Sequence, residues 1–262
     1  MKNNVRVLGP AGARTIMLAH GFGCDQNLWR LVVPLLVPTF RVVLFDHVGA
    51  GSSDPDAWDE RRYGSLEGYA GDVLEIVREL GLRDVVFVGH SVAAMIGVLA
   101  TVAEPERFTG LVLVTPSPCY LDDDGYRGGF SRADIDELLH SMESNYLGWS
   151  RSMAPNIMGT PDRPELEDEL TESFCRTDPA RALTFARATF LSDNRSDLAH
   201  VCVPTLVLEC AHDTLAPRDV GAYVHEHITD SELVTLDATG HCPHLSVPDA
   251  TADAIAQFAV RL

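Results

Sequence analysis

Val88-Gly89-His90-Ser91-Val92-Ala93 joins the end of the apolar run DVVFVGH (84–90) to the helical run AAMIGVLATVA, so a serine sits on a tight turn between strand and helix. Such a turn strains the backbone of its serine and lifts the hydroxyl above the edge of a sheet. Crowding there demands small residues two positions before and after, which Gly89 and Ala93 supply. The usual pattern is G-x-S-x-G, from which Ala93 departs by one methyl group. Taken alone, the serine also reads as an ordinary helix N-cap. The rest of the chain must decide between the two.

On the N-terminal side, VRVL (5–8), TIMLAHG (15–21) and RVVLFDHVG (41–49) are short β-branched runs, and GLVLVTPS (110–117) continues them after the serine. Apolar strands separated by helical patterns predict a parallel sheet covered on both faces. Between them Ser65 can cap a helix whose Leu66, Tyr69, Val73, Val77 and Leu80 share one face, ending at Gly81. From about 119 to 200 the strands stop. Helix starts are marked there by Ser131 with Asp134, by Pro164 ahead of ELEDEL, and by Asp178-Pro179 ahead of ARALTF. Strand texture returns in PTLVLECAHD (204–213) and ELVTLDATGH (232–241), and a helix from about 249 closes the chain. The expected organisation is one α/β core formed by 1–118 and 201–262, with 119–200 inserted as a helical cap.

A serine on such a turn requires an acid and then a histidine, each at the carboxyl end of a later strand. Asp213 and His241 end the two returning strands in that order. Either residue is commonplace alone, as a solvated loop acid or a capping histidine. Three strand-end positions in the required order make coincidence a poor account. The expected roles are Ser91 as nucleophile, His241 as base and Asp213 as orienting acid. His20-Gly21-Phe22-Gly23 follows the strand TIMLA, where glycines let a backbone N–H face a tetrahedral intermediate. The amides of Phe22 and Val92 are the expected oxyanion donors, each worth about 10²–10³ in rate.

Composition narrows the partners. With 262 residues, 46% of them hydrophobic, the chain can bury a full core unaided. A net charge of −18 disfavours nucleic acid and anionic membranes as partners. The six cysteines form no C-x-x-C pair, so neither zinc nor thioredoxin chemistry has a spacing to rest on. The N-terminus carries no apolar segment of signal length, and no run of the roughly 18 apolar residues a membrane span needs follows, which together suggest the cytoplasm. His241-Cys242-Pro243-His244 has the look of a metal pair, but no third ligand is spaced to join it. Gly49-Ala50-Gly51 lacks the G-x-G-x-x-G spacing of a dinucleotide loop, and Asp122-Asp123-Asp124 reads as a solvated loop. His20, His47, His90 and His212 read as structural hydrogen-bonding groups. No cofactor and no metal is expected.

With those residues in place, the chain resembles the RsbQ-type bacterial α/β hydrolases, relatives of the plant karrikin and strigolactone receptors. The matching stretches run end to end: HGFGCDQNLW (20–29), RVVLFDHVGAGSSD (41–54), FVGHSVAAMIGVLA (87–100), PSPCYLDD (116–123), GGF (128–130), NYLGW (145–149), FCRTDP (174–179) and GHCPHLS (240–246). PSPCYL and GHCPH point to the bacterial branch. The resemblance implies an α/β-hydrolase fold, with a mostly parallel central sheet flanked by helices and a four-helix cap over 119–200. It places the family's triad on Ser91, Asp213 and His241. It also implies an apolar pocket walled by Phe22, Phe130, Leu138, Trp149, Met153 and Phe190, with Val92 at its floor. Two functions follow from it: hydrolysis of a small hydrophobic ester or lactone, and ligand-sensing regulation beside a phosphatase partner in stress signalling. A third chemistry on the same residues, such as carbon–carbon bond hydrolysis or cofactor-free perhydrolysis, is also compatible with them.

Overall fold

The computed structural model describes residues 1–262. Seven strands form one sheet: β1 (Arg6–Leu8), β2 (Thr15–Ala19), β3 (Arg41–Leu44), β4 (Val85–His90), β5 (Phe108–Val114), β6 (Thr205–His212) and β7 (Ser231–Thr239), in the order β1-β3-β2-β4-β5-β6-β7. All pairings from β3 to β7 are parallel. β1 alone runs antiparallel, against β3, with exposed side chains at the sheet edge. Its run VRVL therefore stands apart from the parallel set. The loop back to β2 is too short for the crossover that a parallel neighbour needs.

The helices are α1 (Val33–Leu36), α2 (Glu60–Tyr63), α3 (Leu66–Glu79), α4 (Val92–Ala103), α5 (Arg132–Ser144), α6 (Tyr146–Met158), α7 (Pro164–Arg176), α8 (Pro179–Phe190), α9 (Arg218–His227), α10 (Pro243–Ser246) and α11 (Pro248–Arg261). Alternation along the strands sends successive side chains to opposite faces. Met17, Val43, Phe87, Leu111 and Val207 join α3, α4 and α9 in one core. Ile16, Leu18, Val42, Val86, Val112 and Leu206 join Trp29, α1 and α11 in another. Both faces of β2 and β4 are thus fully buried, which is why those strands read as unbroken apolar runs.

Between β5 and β6 the chain leaves the sheet and forms α5 to α8. It departs and returns at one place, where Cys119 bridges Asp193 and the Asn194 N–H donates to the Pro118 carbonyl at 2.7 Å. Ser131 and Asp134 close a reciprocal capping box at the start of α5. Pro164 and Pro179 open α7 and α8, with Asp178 capping the latter. Leu138, Leu139, Met142, Trp149, Leu170, Phe174 and Phe190 of these helices form a third apolar cluster with Leu28, Leu215 and Leu245 of the sheet-bearing part. No helix is long and apolar enough to cross a membrane.

Candidate active site

Parallel strands present their carboxyl ends along one edge, so residues far apart in sequence meet there. Ser91 follows β4 at φ 58° and ψ −124°, a conformation rare for any residue with a Cβ. It is held there from both sides, by the Ser91 N–H donating to the Val114 carbonyl and by the first turn of α4 behind it. Gly89 has no alternative, because a Cβ there would lie 2.2 Å from the Ala93 carbonyl oxygen. Ala93 itself is fully buried and belongs to the core cluster between sheet and helices.

His241 Nε2 lies 2.8 Å from Ser91 Oγ, and His241 Nδ1 lies 2.7 Å from Asp213 Oδ2. The other oxygen of Asp213 accepts from the Leu215 and Ala216 N–H groups at 2.8 and 3.1 Å. A carboxylate so engaged cannot turn away from the imidazole. The histidine backbone is held as firmly. Its N–H donates to the Ile157 carbonyl at the end of α6, while its carbonyl accepts from His90 Nε2 at 2.8 Å and Thr115 Oγ1 at 3.2 Å. Gly240 makes this approach possible. Its φ is 91°, and a Cβ there would stand 2.0 Å from the Met158 carbonyl oxygen.

The loop after β2 is oriented by two buried histidines. His20 Nε2 accepts from the His47 N–H at 3.1 Å, so His20 carries its proton on Nδ1 and donates to the Gly21 carbonyl at 2.9 Å. C=O and N–H are antiparallel across a trans peptide, so pinning the Gly21 carbonyl turns the Phe22 N–H to the opposite side. Val92 is the first residue of α4, and its N–H has no partner within the helix. Burial lowers the pKa of both His20 and His47, keeping the imidazoles neutral in these roles.

Above Ser91 and His241 lies an apolar cavity of about 30 Å³, on the scale where one water needs about 10–15 Å³. Phe22, Leu138, Trp149, Met153 and Phe190 line it, as do Cys24, Tyr120, Ile157, Leu170, Phe174 and Leu215. Phe22 stands 5.7–6.4 Å from the rings of Trp149, Phe174, Phe185 and Phe190, forming an aromatic box. Phe130, expected in the wall, and Val92, expected at the floor, are not among the lining residues. Phe130 pairs through its backbone with Tyr120, and its ring packs behind the Tyr120 ring at 6.3 Å. The Val92 side chain is buried in the core between sheet and helices. As the opening residue of α4 it turns its side chain to the helix packing and leaves only its amide at the turn.

Tyr120, Phe174 and Leu215 line the cavity without a sequence pattern that assigns them to it. Leu166, Leu170 and Phe174 recur every fourth residue along α7, a signal that marks an inward face but not what it encloses. Tyr120 sits in a loop, where no periodicity exists to find it. Burial pushes its pKa to about 12, so its hydroxyl, which faces Ser91, stays protonated.

Known proteins agree with this architecture. Residues 16–254 match the model of the alpha/beta hydrolase family. The chain is 42% identical over 248 residues to a karrikin insensitive 2 receptor of Petunia hybrida, covering 94% of this chain and 92% of that one. It is 42% identical over 246 residues to a strigolactone esterase of Arabidopsis thaliana, covering 94% and 91%. Among solved structures, a hydrolase from Oleispira antarctica superposes with a TM-score of 0.96 at 43% identity, covering 100% of this chain and 96% of that one. The chain belongs to the alpha/beta hydrolase family.

Proposed function

We propose that this protein is a serine ester hydrolase for small, largely apolar esters or lactones, and that 119–200 acts as its cap. The observation that carries the reading is the hydrogen-bonded line Asp213–His241–Ser91 beneath a cavity lined mostly by apolar groups. In the reaction His241 takes the Ser91 proton through Nε2 as Oγ attacks the ester carbonyl. The Phe22 and Val92 amides receive the developing oxyanion, and α4 directs the positive end of its dipole there. The imidazolium then gives its proton to the departing alkoxide. A water activated by the same nitrogen releases the acid. Asp213 holds the ring in the tautomer that leaves Nε2 free to accept.

A p-nitrophenyl ester series from acetate to octanoate tests the substrate class. The cavity is small, so turnover is expected to fall steeply with acyl length. No hydrolysis of any ester, with no acyl or fluorophosphonate adduct on Ser91, would defeat the reading. Trp149→Ala should shift preference toward the longer chains by at least about 10-fold, the scale on which pockets discriminate single methylenes. Trp149→Phe, which keeps more of the packing, should give a smaller shift in the same direction. An unchanged chain-length profile in both variants refutes Trp149 as part of the wall.

Asp213→Asn bears on the mechanism. An amide donates where the carboxylate accepted, so the imidazole settles in the wrong tautomer. Turnover should drop by about 10⁴ with KM little changed. A loss below tenfold would show that another group orients His241.

The relatives named as receptors support a second output of the same site, sensing of a small hydrophobic ligand reported through the cap. In its finer form this is the RsbQ-type reading, with a phosphatase partner in stress signalling and a bacterial source. Ligand-dependent co-purification of a serine phosphatase with this protein is its test. Six unpaired cysteines fit a reducing compartment such as the cytoplasm.

A further inference from the structure

His90, Cys242 and His244 come together at the cavity wall, the first two lining it, and nothing in the hydrolytic mechanism uses Cys242 or His244. Their exposures are 2%, 1% and 0%. One ligand-capable atom from each lies within 4.8 Å of those of the other two. The His90 and His244 rings meet edge to face at 4.4 Å, and Trp29 closes the far side of His244 at 4.8 Å. His244 finds no hydrogen-bond partner for either ring nitrogen, and His90 finds none for Nδ1. An unpaired buried polar atom costs about 1–3 kcal/mol, so three in one cluster is an unusual expense for packing alone. Burial also keeps both imidazoles neutral, the form with a lone pair to give.

We propose that His90, Cys242 and His244 form a binding site for a thiophilic d¹⁰ ion, Zn²⁺ or Cu⁺, reached through the apolar cavity. Two imidazoles and a thiolate with no carboxylate select such ions over Mg²⁺ and Ca²⁺. Cys242 and His90 both line the cavity, which provides the route and leaves an open coordination position on that side. Bonds of about 2.0–2.3 Å set ligand atoms roughly 3.3–3.8 Å apart, so the cluster contracts by about 1 Å on binding, within the reach of side-chain rotation. The thiol of Cys242, raised in pKa by burial, gives its proton to water entering through the cavity as the metal–sulfur bond forms, and no electron is transferred. Because His90 also supports the His241 carbonyl through Nε2, and Cys242 follows His241 directly, an ion here pulls on the catalytic base from two sides. Occupancy therefore switches hydrolysis off.

The binding test uses wild-type protein and Ser91→Ala, both stripped with chelator. Zn²⁺, or Cu⁺ under anaerobic reducing conditions, is added and the retained metal is counted after gel filtration. One ion per chain is expected in both proteins, and Co²⁺ in its place should give a thiolate charge-transfer absorption. Cys242→Ala should lose that absorption, and Cys242→Ala and His244→Phe should each lose retention, weakening affinity beyond the about 10–100-fold typical for loss of an outer-shell partner. Near-UV circular dichroism reports that each variant is folded. No retained ion in the wild type, or retention undiminished in both variants, overturns the site. Separately, added ion should suppress ester hydrolysis by the wild type and leave His244→Phe at the rate it shows without the ion. An ion bound at this cluster without effect on hydrolysis overturns the coupling alone. A protein that binds the ion but hydrolyses nothing disproves the esterase reading and leaves the site standing.

Discussion

Ser91→Ala is expected to abolish ester hydrolysis, by up to about 10⁶-fold in kcat where chemistry limits turnover, and to end labelling by a fluorophosphonate. The size follows from geometry. Ser91 Oγ is the atom that His241 Nε2 contacts at 2.8 Å, and the strained turn holds it there before any substrate arrives. Alanine keeps the Cβ and therefore the same backbone demand, so the fold should survive unchanged. The oxyanion amides and the cavity also survive, leaving a residual rate about 10³–10⁴ above water. Undiminished labelling of the variant would remove Ser91 from the mechanism.

The second large effect is on stability. Below about pH 6.5 the metal-free protein should lose stability steeply as acid is added. His47 and His90 have pKa values held well below the ordinary 6.5 by burial, reinforced by neighbouring histidines, and His244 is lowered to about 3 for the same reasons. Unfolded, each would bind a proton near pH 6.5, whereas the folded protein refuses it until far lower pH. The unfolded state then holds more protons, so the stability of the fold rises with pH across this window and is lost as pH falls through it. It is fully present above about pH 6.5. A group that stays unprotonated in the fold costs about 1.4 kcal/mol for each pH unit below its unfolded pKa. A typical domain has only about 5–15 kcal/mol to lose. Urea midpoints between pH 8 and 5 measure the slope. His244→Phe, which removes a ring without hydrogen-bond partners, should reduce it by one proton. A flat profile, or stability rising toward acid, contradicts the prediction.

Much of the molecule was readable without coordinates wherever local chemistry decides the outcome. The apolar runs at 84–90 and 204–213 became β4 and β6 because strands buried on both faces admit few polar residues. Ser131-Asp134 and Asp178-Pro179 start α5 and α8 because free N–H groups at a helix start need an acceptor within the next turn. Chain order was enough to suggest which serine, acid and histidine share a sheet edge.

Distance across space was not readable. The sequence shows His241-Cys242-Pro243-His244 as a metal-like pair with no third ligand spaced to join it, yet folding sets His90 beside Cys242 and His244, because β4 and the turn after β7 end along one edge. Phe130 matched a wall position by motif, but backbone pairing to Tyr120 turned it behind the wall and put Tyr120 in front. Periodicity marks Phe174 as inward-facing; only the closure of α7 over Phe22 makes it part of a cavity. Hydrogen bonding and propensity act over a few residues and leave their mark in the sequence. Which buried surfaces meet is settled by packing the whole chain, and it is that packing which made one cavity over Ser91 and one cluster beside it.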